Sequence, residues 1–191
     1  DKNDIQVSFK SREGMPLQFD NLVPLIREMT TRAFDEMGRP EDMNGFMFDG
    51  EIEAGESFKT SMQTLKKGGG DAKDIRFTVF WVQPLDYFLS QKTYDKTYKE
   101  QRKFMQAIFG NDEVFNVDEN GDLLAKIMLS KSYLVGSEKE AQRLYANARA
   151  ADLEGVIVKD INANYEYRRT ATWLKVKASE TLDLTIVDVE E

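Results

Sequence analysis

The side chains able to do chemistry in this chain are lysines, arginines, carboxylates and hydroxyls, because it has neither histidine nor cysteine. That removes imidazole acid–base catalysis, thiolate nucleophiles, disulfides and the metal sites those residues build. What is left concentrates in four short segments: SREG at residues 11–14, FDGE at 48–51, EGVIVK at 154–159 and WLKVK at 173–177. Glu51 and Glu154 each stand beside a glycine at the edge of an apolar run, and Lys159, Lys175 and Lys177 lie in or next to such runs. Strand side chains two apart share a face, so Lys175 and Lys177 point together. Charges beside buried strands are unfavourable unless paired or bound to something. Phosphates satisfy lysines and a divalent cation satisfies carboxylates, so a nucleoside triphosphate with Mg2+ would satisfy both.

Each segment also has a plain structural reading. Asp49-Gly50 suits a turn, Lys175 and Lys177 suit the solubilised edge of a sheet, Glu154 could end a helix, and Arg12 could be a surface residue. The four together, in this order, are harder to dismiss.

The elements that must position these residues can be read from periodicity. A strand over residues 5–10 runs into a turn at 11–14. Asp20 is expected to cap a helix to about Met37, with Leu22, Leu25, Ile26, Met29 and Ala33 on one face and Pro24 in its first turn. Residues 45–53 and 75–82 read as strands, 66–74 as a flexible loop, and 94–109 as a helix. Asn120-Gly121 marks a hairpin turn between strands at 114–117 and 123–129, and the acidic run at 118–122 lacks the spacing of a calcium loop. Ser137 and Glu140 form a capping-box pair opening a helix to about Ala151. Strands follow at 155–159, 172–177 and 182–189. The class is α+β, in one domain spanning residues 1–191.

The composition is acidic, with 26 basic and 34 acidic residues and a net charge of −8. A wholly basic nucleic-acid coat is excluded, whereas a local basic groove is not. No apolar run is long enough to span a bilayer.

FDGE, EGVIVK and WLKVK, in that order, resemble nucleotidyltransferase motifs III, IV and V of ATP-dependent DNA ligases. SREG resembles the ligase motif between I and III, and FTVFWVQPLDYF resembles motif IIIa, an aromatic strand under the base. The likeness covers nearly the whole chain, with spacings closest to small phage-type ligases. It implies the α+β nucleotidyltransferase (ATP-grasp-like) adenylation fold, antiparallel sheets flanked by helices, with ATP or AMP and Mg2+ as ligands and nicked duplex DNA as partner. It implies a monomer in the cytoplasm (of a host cell, for a phage enzyme) that serves DNA replication, repair and recombination.

By the same resemblance Glu51 contacts the ribose or helps hold metal, and Glu154 binds the catalytic metal. Lys175 and Lys177 hold the α-phosphate region, Lys159 assists beside them, and Arg12 reaches the nucleotide or the nick phosphate. Phe80 stacks on adenine, with Trp81 the competing choice. The family's nucleophile is the lysine of a KxDG motif. Lys2-Asn3-Asp4-Ile5 has isoleucine in place of the glycine and is read as a chance match, so the motif is expected upstream of Asp1 and the OB-fold domain beyond Glu191. RNA ligases, capping guanylyltransferases and non-catalytic nucleotide-binding relatives share these core motifs. An unrelated α+β binding protein with chance matches is a further reading.

Overall fold

The computed structural model describes residues 4–55, 69–70, 72–110, 113–151 and 153–177. Two short strands, β1 (Phe9–Lys10) and β2 (Pro16–Phe19), precede a 3-10 turn at Asp20–Leu22 and helix α1 (Val23–Glu36). Then come β3 (Phe46–Ala54), β4 (Gly69–Gly70), β5 (Ile75–Pro84), α2 (Leu85–Leu89) and α3 (Tyr98–Phe109). The chain continues through β6 (Val114–Val117), β7 (Leu123–Leu129), α4 (Glu138–Ala150), β8 (Gly155–Lys159) and β9 (Trp173–Lys177).

The main sheet runs β3-β5-β7-β6. Its outer strands are antiparallel to their neighbours, while β5 and β7 pair in parallel. A small sheet joins β1 to β2 antiparallel and β2 to β4 parallel, and β8 and β9 form an antiparallel ribbon. The α+β class therefore stands, with two parallel pairings inside otherwise antiparallel sheets.

Alternation explains which face of the main sheet is covered. Ile75, Phe77 and Val79 on β5 and Ala125 and Ile127 on β7 are buried on one side. Leu25, Ile26, Met29 and Ala33 of α1 and Met105, Ile108 and Phe109 of α3 complete that core. The other face carries the cross-strand rows Glu51–Thr78–Met128 and Glu53–Arg76–Lys126. Side chains of that polarity are left to face solvent or a ligand.

Two glycines hold strands closer than any side chain would allow. A Cβ on Gly50 would meet Phe77 Cε2 and the Thr78 carbonyl oxygen at 2.5 Å each. A Cβ on Gly155 would run into the Val176 carbonyl and lie 3.0 Å from Lys177 Cα. At the first site the register skips a residue: Asp49 pairs with Trp81 and Gly50 with Val79. Phe80 is the extra residue of that bulge, a feature that re-aims side chains.

Several local expectations are corrected. Asp20 does not cap α1, because its carboxylate accepts instead from Gln18 Nε2 and the chain enters the helix through a 3-10 turn. Pro24 does sit in the first turn. Only Phe9–Lys10 of the first strand pairs, and β2 and α2 were not anticipated. The third helix begins at Tyr98 rather than at residue 94. Thr97 and Glu100 form a reciprocal capping box there, so both orphan N–H groups are satisfied at that point. Ser137 Oγ accepts from the Glu140 N–H as expected, but the Glu140 carboxylate reaches the Gly136 N–H rather than closing a box on Ser137. Gly69–Gly70 pairs as a strand within the segment read as a loop. The remainder of 66–68, Asp71, the Lys2-Asn3 match and the strand expected at 182–189 lie outside the described residues.

Gly155→Ala should force the ribbon apart and destabilise the chain by about 1–3 kcal/mol, the usual range for overpacking a closed site. Urea denaturation checks it, and an unchanged midpoint would mean that the ribbon tolerates a side chain there.

Candidate functional site

The ribbon register decides where the lysines go. Lys159 lies opposite Trp173, Ile157 opposite Lys175, and Gly155 opposite Lys177. Directly opposed residues share a face, and residues two apart share it as well. Lys159, Lys175 and Lys177 therefore line one face of the ribbon, in rows spaced by about 7 Å along the strands. Helix α4 packs on β8 with a stripe of Ala141, Leu144, Tyr145 and Ala148, none of them fully buried.

At one end of that face Glu154 gathers both terminal lysines. Lys175 Nζ donates to Glu154 Oε2 at 2.8 Å, and Lys177 Nζ stands 3.4 Å from Oε1. All three side chains are more than half exposed. The Lys175 hydrogen bond, reinforced by Lys177, holds the Glu154 carboxyl below its ordinary value. An exposed carboxylate with two amines on it is loosely held, since ion pairs in water contribute little.

At the other end Lys159 is enclosed. Its Nζ lies 3.7 Å from the ring centre of Trp173, 4.5 Å from that of Tyr98 and 5.1 Å from that of Phe80. Burial lowers the amine from its ordinary 10.5 to about 7, the Asp49 carboxylate resisting that fall and the Arg102 guanidinium adding to it. Asp49 is itself pushed up by burial, against the hydrogen bond from Tyr165 and the charges of Lys159 and Arg12. Tyr165 Oη donates to Asp49 Oδ2 at 2.6 Å. Burial and the Asp49 charge keep the Tyr165 hydroxyl protonated well beyond its ordinary range. Trp173 Nε1 and Arg102 Nη1 are buried N–H groups without a hydrogen-bond partner among the described residues.

Phe80 and Trp81 divide as the strand alternation requires. Trp81 is fully buried, its Nε1 donating to Gln83 Oε1, and its ring stacks on Tyr98 and Tyr165. Phe80 is half-buried and meets Trp173 edge-on beside Lys159. Arg12 is exposed in the β1–β2 turn, which Ser11 Oγ closes by accepting from the Glu13 and Met15 N–H groups. Its charge reaches both Asp49 and Tyr165.

The structure thus brings Glu154, Lys175 and Lys177 together, joins Lys159 to Phe80, and sets Arg12 within electrostatic reach of Asp49. Glu51 lies on β3 two residues from Asp49, exposed, and its carboxylate makes no hydrogen bond or ion pair to another described residue. Among the described residues no group of three or more acids could hold a metal ion. One or two carboxylates do suit Mg2+ that arrives on phosphates and keeps its waters, and Glu154 fits that role. Sequence reasoning missed Asp49, Tyr98, Arg102 and Tyr165. Asp49 was visible as a motif letter but read as a turn residue, and the other three become neighbours only through the fold.

The profile of the ATP dependent DNA ligase domain matches residues 1–177. A DNA ligase from Archaeoglobus fulgidus is 34% identical over 98 residues, half of this chain and 16% of that protein. A probable DNA ligase from Sorangium cellulosum is 50% identical over 52 residues, 27% of this chain and 10% of that protein. The chain therefore spans only a small part of the curated relatives it matches. Among solved structures, the ATP-dependent DNA ligase of bacteriophage T7 in complex with ATP superposes with a TM-score of 0.54 at 23% identity, over 70% of this chain and 44% of that one. A structure described as Pmar-Lig_PreS3 gives 0.63 at 21% identity, over 91% and 38%. At those identities the likeness is one of fold. No helix among the described residues is long and apolar enough to cross a membrane.

The lowered Lys159 amine makes stability depend on pH. The folded state disfavours its ammonium, so the penalty is complete below about pH 7 and fades as the pH rises toward 10.5. Stability should therefore climb through that window, by up to about 1.4 kcal/mol per pH unit. Lys159→Met should raise stability at pH 7 and flatten the climb. Urea midpoints at pH 7 and about 9, below tyrosine ionisation, measure this. Parallel curves for the two proteins would contradict it.

Proposed function

The chain belongs to the ATP-dependent DNA ligase domain family, and on that footing we propose that the lysine face of β8–β9 binds ATP or AMP as the adenylation core of an enzyme that seals nicks in duplex DNA. The observation that carries this reading is the ribbon register: three amines on one face, with a half-buried aromatic ring at one end and a carboxylate at the other. Phe80 presents a ring for adenine. Lys175 and Lys177 face the phosphates, Glu51 stands ready for the ribose hydroxyls, and Arg12 approaches from the β1–β2 turn.

Glu154 would hold Mg2+ arriving with the phosphates, and the ion would add charge neutralisation at the α-phosphate. An incoming phosphate would release Lys175 and Lys177 from Glu154, since an oxyanion competes directly for their N–H groups. The same negative charge would draw the Lys159 amine back toward its protonated form. These groups act by positioning and by neutralising charge, which is most of what a phosphoryl or nucleotidyl transfer asks of a protein. In the ligase reading a lysine amine attacks the α-phosphorus, pyrophosphate leaves, and AMP passes to the 5′-phosphate of the nick before the 3′-hydroxyl displaces it. No lysine of this chain is proposed as that nucleophile. Nicked duplex DNA and Mg2+ are the proposed partners, in DNA replication, repair or recombination.

Calorimetric titration with ATP, AMP and GTP in Mg2+ tests the reading. Adenine nucleotides should bind in preference to GTP, which would instead favour a capping guanylyltransferase. Phe80→Ala should weaken binding by about 1–3 kcal/mol, the worth of one base stacked on an aromatic ring. Lys175→Ala should weaken it as well. α-Labelled ATP should leave no covalent label on this chain. Full affinity in both variants would defeat the assignment of the site.

A further inference from the structure

The loop between β8 and β9 ties the ribbon to the main sheet and to the start of α3, and the ties are specific. Thr97 and Asn164 form an isolated bridge, Tyr167 Oη accepts from Gln83 Nε2, and Tyr165 Oη donates to Asp49. Tyr165 is the central one. Its ring stacks on Trp81 with centres 5.0 Å apart and meets Trp173 edge-on at 5.5 Å. Trp173 is the ring nearest the Lys159 amine, and Asp49 is the carboxylate that acts on it.

We propose that Tyr165 is the positioning residue of this site: its ring fixes Trp173, its hydroxyl fixes the Asp49 carboxylate, and together these set the orientation in which Lys159 is offered to the nucleotide. The proposal deepens the nucleotide-binding reading and rests on it for the identity of the ligand. The elements around the amine supply few competing charges. Asp49 acts on it from β3, Arg102 and Tyr98 from α3, Phe80 from β5 and Trp173 from β9, while Tyr165 in the loop holds Asp49. Asp49 is the carboxylate acting on Lys159, and it also feels the Arg12 charge. A carboxylate on a single-bonded side chain turns freely unless something holds it, and Tyr165 Oη is the side-chain donor that does so. Tyr165 does not reach the nucleotide in this scheme, because it acts through Asp49 and Trp173.

The chain has two tryptophans, Trp81 and Trp173, and both touch Tyr165. Indole emission therefore reads the cage directly, without any nucleotide. In the unaltered chain the emission should titrate near neutral pH, and Lys159→Met should abolish that transition. Tyr165→Phe keeps the ring and removes the hydroxyl. It should leave far-UV circular dichroism unchanged, move the transition down by about 0.5–1 pH unit as Lys159 loses its facing charge, and weaken AMP binding by about two- to tenfold, the net worth of a hydrogen bond. Asp49→Asn should reproduce the fluorescence shift, which keeps the test decisive if Tyr165→Phe folds poorly. A transition and an AMP affinity unaltered in Tyr165→Phe would overturn the proposal and leave Tyr165 as core filling. Should the unaltered chain bind no nucleotide, the ligand assignment fails on its own, while the fluorescence titration still decides the role of Tyr165.

Discussion

An amine enclosed by aromatic rings gives up most of its water, so its charge rests on the ring faces and on any counter-charge nearby, and the Lys159 side chain is where this structure meets that constraint. Three rings surround its Nζ, Asp49 supplies the opposing charge, and Tyr165 holds Asp49 in place. Asp49 comes from β3, Lys159 from β8, Tyr165 from the loop after it and Trp173 from β9, while Phe80 comes from β5 and Tyr98 from α3. Bringing them together requires the ribbon, the main sheet, α3 and the loop between β8 and β9 to be assembled at once. The contrast with Glu154, Lys175 and Lys177 is instructive. That cluster is exposed, close in sequence to the strands that carry it, and free to rearrange around a ligand, because water already solvates its charges.

The two ends of the lysine face therefore have different physical characters. The Glu154 end is a wet ion-pair cluster suited to exchanging partners with phosphates and a cation. The Lys159 end is an aromatic enclosure whose charge depends on what is next to it. A nucleotide needs both kinds of environment, an apolar surface for its base and mobile cations for its phosphates. Under the proposed reading the ribbon register sets the three lysines along one face, and Phe80 of β5 adds an apolar ring at one end.

Much of this arrangement is legible in the linear chain. Alternation in WLKVK puts Lys175 and Lys177 on one face, and the glycines beside Asp49 and Glu154 mark close approaches that the fold does use. Periodicity places most strands and helices, because burial of one face imposes it. The misses have local causes. Asp20 was outcompeted as a cap by Gln18 and a 3-10 entry, and the helix expected from residue 94 waits for the Thr97–Glu100 box. The choice between Phe80 and Trp81 was open in the sequence because both suit a strand. The orientation of β5 in the sheet settled it, leaving Phe80 half-buried and Trp81 in the core.

The sequence by itself determined the family, the class of fold and the side chains that point together, because strand and helix periods act over a few residues and motifs are read in order. Only the tertiary structure decided that Lys159 is enclosed while Lys175 and Lys177 are open, and that Tyr165 reaches Asp49 across 116 positions of chain. Burial and electrostatic partnership are set by what lies nearby in space, and no local pattern encodes which distant side chain that will be.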